Sequence, residues 1–271
     1  MNNLQEVRFA IIGAGNIGRI LLNRLLSSGV PAVNLAVIDC DLERAEAVAR
    51  QFGAKPIPLS EEAIRTAEVI LLAAPPKSVF DLLARMRGWF RSGQLVISFA
   101  AGVPLAIMEF MFPAEVMVVR VMPNAPSLVG QGMNPVAYGS RVTPEGKAVV
   151  SAILASLGET VQVSDEQMNW CVGLSGAAMR SLLPVLEGMI KAGMEAGLTP
   201  QDARRVAAQV MLGTAALALQ TDLSFDEIKM LTPMQTVNEA EVTQIFFQAA
   251  KSAREKIDQV QARLMETFGS I

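Results

Sequence analysis

Three glycines and an aspartate carry the first chemical signal in this 271-residue chain. Gly13, Gly15 and Gly18 follow the apolar run Phe9 to Ile12, and Ile17 to Leu26 continues with helical periodicity. The glycines therefore sit on a strand-turn-helix, the context in which Gly-x-Gly-x-x-Gly binds a dinucleotide. Each has a physical task there: Gly13 permits the tight turn, Gly15 lets backbone approach a phosphate, and Gly18 lets the helix pack close to the strand. Asn16 and Ile17 open that helix, where exposed N–H groups and the helix dipole favour the anionic pyrophosphate.

Further along the chain, a second apolar run, Asn34 to Ile38, ends in Asp39. It lies about 20 residues past the last glycine, where such folds place the carboxylate that accepts the ribose hydroxyls. The plainer alternative is that Asp39 only ends a strand. Asp41 suits a structural part better, as the cap of a helix beginning at Leu42. A carboxylate at the ribose repels a 2′-phosphate, so NADH is expected over NADPH, while Arg44 nearby could accommodate that phosphate.

Composition narrows the chemistry further. The chain has no histidine, which removes the commonest acid-base group and every imidazole-dependent nucleophile or metal mechanism. A bound cofactor is then expected to carry the hard step. A net charge of -3 without a basic block gives no reason to expect nucleic acid. Cys40 and Cys171 are isolated, so neither a metal site nor a disulfide framework is expected, and a reducing cytoplasm is the default. The first residues lack a signal-peptide pattern, and no apolar run is long enough to span a bilayer.

The elements that position these residues read in order as strands and helices. Helices are expected over Leu42 to Phe52, Glu61 to Thr66 and Val79 to Phe90, with strands at Glu68 to Ala74, Gln94 to Ser98 and Val116 to Val121. Pro75-Pro76 stops the central strand, so Ala74 and Pro75 should wall the cofactor cleft; Lys77 beside them is either a phosphate contact or a solvated lysine. Asn124, between Pro123 and Pro126 at the end of another strand, is placed to bond a carboxamide or substrate, or else to brace its loop. A last strand before Tyr138, a helix capped by Thr143 and Val161 to Val163 close this α/β domain, residues 1–164. Residues 165–271 read as helices alone: Glu166 to about Gly197, Pro200 to Leu219, Phe225 to Leu231 and Asn238 to Phe268. Their apolar faces exceed what so small a domain buries, so a dimer through these helices is expected.

Three stretches carry a resemblance to a known family: Ile12 to Gly18, Leu95 to Val103 and, most specifically, Arg120-Val121-Met122-Pro123-Asn124-Ala125-Pro126-Ser127-Leu128-Val129-Gly130-Gln131-Gly132-Met133. The chain resembles the pyrroline-5-carboxylate reductases of proline synthesis over nearly its whole length. The resemblance implies a Rossmann domain, an all-α dimerisation domain and an active site built between them, partly from a second subunit. It also implies reduction of a cyclic imino acid by NADH or NADPH.

Two substrate loops of that family are altered. Where its members read Ser-Gly-Ser-Gly-Pro-Ala, this chain has Ser175 to Met179 and then Arg180; where they read Thr-Ser-Pro-Gly-Gly-Thr-Thr, it has Leu231 to Val237. The threonine that the family places beside the imine nitrogen falls on Val237, leaving Thr236 or Asn238 to substitute, and Thr236 is the expected hydroxyl. Arg180 offers a planar donor for a substrate carboxylate, against a salt bridge with Glu187 or a helix partner. Arg180, Thr236 and Asn124 are thus the expected catalytic set, with another imine or carbonyl acid, or a non-catalytic dinucleotide-binding regulator, as alternatives.

Overall fold

The computed structural model describes residues 4–113 and 115–268. The chain packs as two compact units, Met1–Gly176 with Lys251–Ile271, and Ala177–Ala250. In the first unit, eight strands form one sheet: β1 (Phe9–Ile12), β2 (Leu35–Ile38), β3 (Lys55–Pro56), β4 (Val69–Leu72), β5 (Leu95–Ser98), β6 (Met117–Val121), β7 (Gly132–Tyr138) and β8 (Gly158–Gln162). Their spatial order is β3-β2-β1-β4-β5-β6-β7-β8. Chain order reverses across β1, whose neighbours are β2 and β4. Ile12, Ile38 and Leu72 stand opposite one another, so three strands end level and open a crevice at their carboxyl ends.

Helices α1 (Asn16–Ser27), α2 (Leu42–Phe52), α3 (Glu61–Thr66), α4 (Pro76–Met86), α5 (Leu105–Met111) and α6 (Pro144–Ala155) return the chain between strands. Central strands must therefore be apolar on both faces, and β4 is: Ile70 and Leu72 enter one core with Phe80 and Val96, while Val69 and Leu71 enter the other with Leu21 and Ile97. Several local signals act as the sequence implied. Asp41 accepts the Arg44 N–H at 3.1 Å to cap α2, and Thr143 accepts the Gly146 N–H at 3.1 Å ahead of Pro144. The helix expected from Val79 begins earlier, at Pro76, because a proline at the first position has no N–H to leave unpaired. Strand β7 runs antiparallel to β6, since their short connection cannot make the long crossover that a parallel pair needs.

The helix expected from Glu166 to about Gly197 is interrupted. A capped turn over Asp165–Gln167 leads to α7 (Met168–Cys171), then to a wide π-type turn over Val172–Ala177, and only then to α8 (Ala178–Glu195). Two local causes are visible. Ser175 Oγ donates back to the Cys171 carbonyl at 2.7 Å, and the Ser175 carbonyl accepts the Asn124 amide at 3.2 Å instead of serving the helix alone. Beneath this segment Arg120 on β6, 1% exposed, donates to Asp165 Oδ1 at 2.8 Å, while Asp165 Oδ2 accepts the Leu105 N–H that opens α5.

The second unit is helical: α8, α9 (Pro200–Gln220), α10 (Phe225–Met230) and the first part of α11 (Glu239–Phe268). Thr199 caps α9 ahead of Pro200, accepting the Asp202 N–H at 3.1 Å. Within α8 no residue is buried, and in α9 only Ala203 and Ala207 are, while Leu212, Leu219 and Phe225 stand largely in solvent. Among the described residues no helix is long and apolar enough to cross a membrane, and no cluster of metal-ligating side chains is present.

Asp165→Ala should destabilise the protein by about 3 kcal/mol, because it strands the buried Arg120 charge. Urea denaturation checks this, and a loss below about 1 kcal/mol would show the pair to be dispensable.

Candidate functional site

The glycine turn is built by close approach. Gly13 has φ +111°, and a Cβ there would lie 2.6 Å from the Ala73 carbonyl oxygen beyond β4. At Gly18 a Cβ would fall on the Gly13 carbonyl oxygen, so α1 could not reach its seat. Gly15 is different, since nothing lies within 4 Å of the position a Cβ would take. That open face lies at the start of α1, whose cap has no side-chain hydrogen bond, leaving the first-turn N–H groups of Asn16, Ile17 and Gly18 to a phosphate.

Beside the turn a cleft of about 440 Å³ is lined by Gly13, Asp39, Arg44, Ala74, Pro75 and Lys77 among others. The structure thus brings together Gly13, Asp39, Ala74 and Pro75 as the sequence expected. It adds Arg85 and Asp81 from the same face of α4, and apolar Ile12, Ile38, Leu59 and Leu82. A cleft lined by apolar side chains together with Arg44, Lys77 and Arg85 could take an adenosine group carrying phosphate.

Asp39 is more deeply engaged than its sequence position suggests. Its side chain is 4% exposed; Oδ2 accepts the Ala14 N–H at 2.7 Å, and Oδ1 accepts the Asp41 N–H at 2.9 Å. The Arg44 guanidinium adds a two-point contact, Nη2 to Oδ1 at 2.6 Å and Nε to Oδ2 at 3.2 Å. Burial alone would push this carboxyl up, but the Arg44 hydrogen bond, the Asp41 and Ala14 N–H groups and the Cys40 thiol outweigh it and hold the pKa at about 2. Asp39 is therefore an anion that pins the turn, with its lone pairs largely taken.

Asn124 is half-buried and also committed: its Nδ2 donates to the Ser175 carbonyl at 3.2 Å, and its Oδ1 accepts the Met133 N–H at 3.1 Å. Arg180 and Thr236 belong to the helical unit, where both side chains are exposed; the cleft residues come from the sheet unit. Sequence reasoning missed the buried cluster of Arg120, Asp165 and Asn169, whose members are 45 and 49 residues apart. Its one local sign was an arginine inside the otherwise apolar run Val116 to Val121.

Two outcomes follow from this geometry. Because the folded pKa of Asp39 lies below the ordinary 3.8, its carboxylate stabilises the fold fully above about pH 4 and loses that contribution as pH falls toward 2. Asp39→Asn should cost about 2 kcal/mol at pH 7 and flatten the loss of stability over that window, read by denaturation at several pH values. The glycines separate folding from binding. Gly18→Ala should destabilise by about 2 kcal/mol or more, whereas Gly15→Ala should keep stability within about 0.5 kcal/mol and weaken dinucleotide binding about tenfold. Unchanged affinity in Gly15→Ala would separate the turn from the phosphates.

Known proteins align with this arrangement on both units. The family described as "NADP oxidoreductase coenzyme F420-dependent" matches residues 8–102, and "Pyrroline-5-carboxylate reductase dimerisation" matches residues 165–260. A pyrroline-5-carboxylate reductase of Methanosarcina acetivorans is 30% identical over 83% of this chain and 84% of its own length. That of Mycobacterium tuberculosis is 32% identical over 79% and 74%. The fold is shared with the Plasmodium falciparum pyrroline carboxylate reductase solved with NADP bound, at TM-score 0.84 and 20% identity, covering 96% of this chain and all of that one. The Coxiella burnetii enzyme gives TM-score 0.78 at 23% identity, covering 93% and 98%. With a sheet unit that carries the glycine turn, a helical unit that matches the dimerisation region, and relatives at 30% identity or more over most of their length, the chain belongs to the pyrroline-5-carboxylate reductase family.

Proposed function

We propose that this chain reduces the C=N bond of a cyclic imino acid, pyrroline-5-carboxylate, to give proline, using a nicotinamide dinucleotide. The observation that carries the reading is the glycine turn, open over Gly15 at the level strand ends of β1, β2 and β4, in a chain of this family. When bound, the dinucleotide supplies a hydride. The chain's residues do the rest: Gly13, Gly15 and the first turn of α1, through Asn16, Ile17 and Gly18, hold the pyrophosphate, and Ala74 and Pro75 wall the cleft. No histidine is needed, because an imine protonated in water enters as the iminium and requires only orientation. On this reading Asn124 holds the strand-end loop, Arg180 would pair with the substrate carboxylate and Thr236 would offer its hydroxyl to the imine nitrogen.

NADH is the preferred coenzyme on this reading, and the charge around Arg44 supports it. Arg44 already faces two carboxylates, bonding Asp39 twice and standing 3.9 Å from Asp41, so its charge is balanced before a 2′-phosphate arrives. The exposed apolar faces of α8 and α9, within the stretch that matches the dimerisation family, support a homodimer. Cys40 and Cys171 are both free, which suits a reducing cytoplasm. A second reading, another imine or carbonyl acid, is favoured by the exposed Met234 and Arg180 in the altered loops.

Initial rates of NADH and NADPH oxidation with pyrroline-5-carboxylate test the proposal. NADH should support the higher kcat/KM, and Arg180→Ala should raise the imine KM about tenfold as a charge-assisted contact is lost. Faster turnover with NADPH would overturn the coenzyme reading. Tight NADH binding with no turnover would overturn the reduction itself and leave a non-catalytic dinucleotide binder.

A further inference from the structure

A polar network that the proposed chemistry leaves unused converges on the buried Asn169. Arg120 on β6 donates from Nη2 to Asn169 Oδ1 at 3.0 Å, and Asn169 Nδ2 donates to Asp258 Oδ1 at 2.9 Å and Gln261 Oε1 at 2.8 Å. An amide has one acceptor oxygen and two N–H donors, and every one is used by a residue distant in sequence. The orientation is settled by chemistry, because arginine only donates and an aspartate carboxylate only accepts. Asp258 is held in turn by Arg254, Nε to Oδ2 at 3.0 Å, whose guanidinium lies 4.7 Å from the Trp170 ring centre. Beside it the last helix approaches the loop after β5 so closely that a Cβ at Gly102 would lie 3.4 Å from the Gln261 N atom.

We infer that Asn169 is a positioning residue that couples docking of the last turns of α11 to the wide turn and, through Ser175, to the Asn124 loop on which imine reduction depends; the inference rests on the imine-reductase reading. The short segment from Asn169 to Ser175 is fastened to the β6 region twice, by Arg120 at Asn169 and by Asn124 at Ser175. The wide turn over Val172–Ala177 starts between the two fastenings and contains the second, Ser175, before the chain continues into α8. Asn169 holds β6 through its oxygen and α11 through both amide N–H groups, so release of α11 reaches the wide turn through it.

The test exchanges donor and acceptor. Asn169→Asp keeps an acceptor for Arg120 but sets a carboxylate against that of Asp258, while Asp258→Asn alone keeps an oxygen for the Asn169 amide. In the double variant the amide and the carboxylate have traded places, and the bond is restored with opposite polarity. Asn169→Asp should lower kcat/KM for the imine about tenfold with NADH affinity within about twofold, and speed amide hydrogen exchange across residues 172–177 and 251–268. Asp258→Asn should change these by less than about threefold, and the double variant should regain most of both losses. Failure of the double variant to recover, or faster exchange with imine kinetics unchanged, would overturn the positioning role. A wild type with no imine turnover would instead remove the reading beneath it, a failure visible before any variant is compared.

Discussion

The Asp39 carboxylate, buried at the end of β2, holds the glycine turn by accepting the Ala14 N–H at 2.7 Å. The proposed coenzyme site depends on that bond. It sets the turn against β2 as the Gly13 N–H does through the Ile38 carbonyl at 2.8 Å, and the Ala73 N–H bond to Ile12 ties β4 to the same level. With the turn fixed, Gly13 and Gly18 fit only as glycines, and the face over Gly15 stays open. The same carboxylate orients Arg44 along the cleft. One side chain therefore sets backbone placement and local charge together, which is why its burial is stabilised by five donor contacts.

A second constraint acts on β6, where Arg120 stands in register with Ser98 and so level with the same strand ends. Arg120 carries charge into the sheet interior, where a cation persists only if paired and hydrogen-bonded. Asp165 and Asn169 supply that pairing, and in doing so they draw the segment after β8 down onto β6 and the last turns of α11 with it. The chain thus passes from the sheet unit into helices through a segment held by polar bonds, while the helical unit itself buries few of its own side chains. Its exposed apolar residues, Leu212 and Leu219 among them, lie within the stretch that matches the dimerisation family.

What could be read from sequence was what is local. The strand-turn-helix of residues 9–27, the caps at Asp41 and Thr143 and the buried β4 depend on neighbours a few residues apart. The antiparallel β7, the wide turn at 172–177 and the engagement of Asp39 and Asn124 depend on partners across the fold, such as Ala14 for Asp39 and Ser175 for Asn124. Asn169 illustrates the limit most clearly: its bonds span 49, 89 and 92 residues, and a polar residue in a helical stretch gives no sign of where they lead.

On this account the cleft beside Asp39 presents a nicotinamide dinucleotide for hydride delivery to an imine carbon. The most direct test is the fate of a deuterium label: NADH carrying deuterium at both C4 positions of the nicotinamide, incubated with the protein and pyrroline-5-carboxylate in ordinary water, with the product read by NMR and mass spectrometry. Proline bearing one deuterium on the former imine carbon is the expected result. Unlabelled proline, or label retained in the coenzyme with no proline formed, would contradict it.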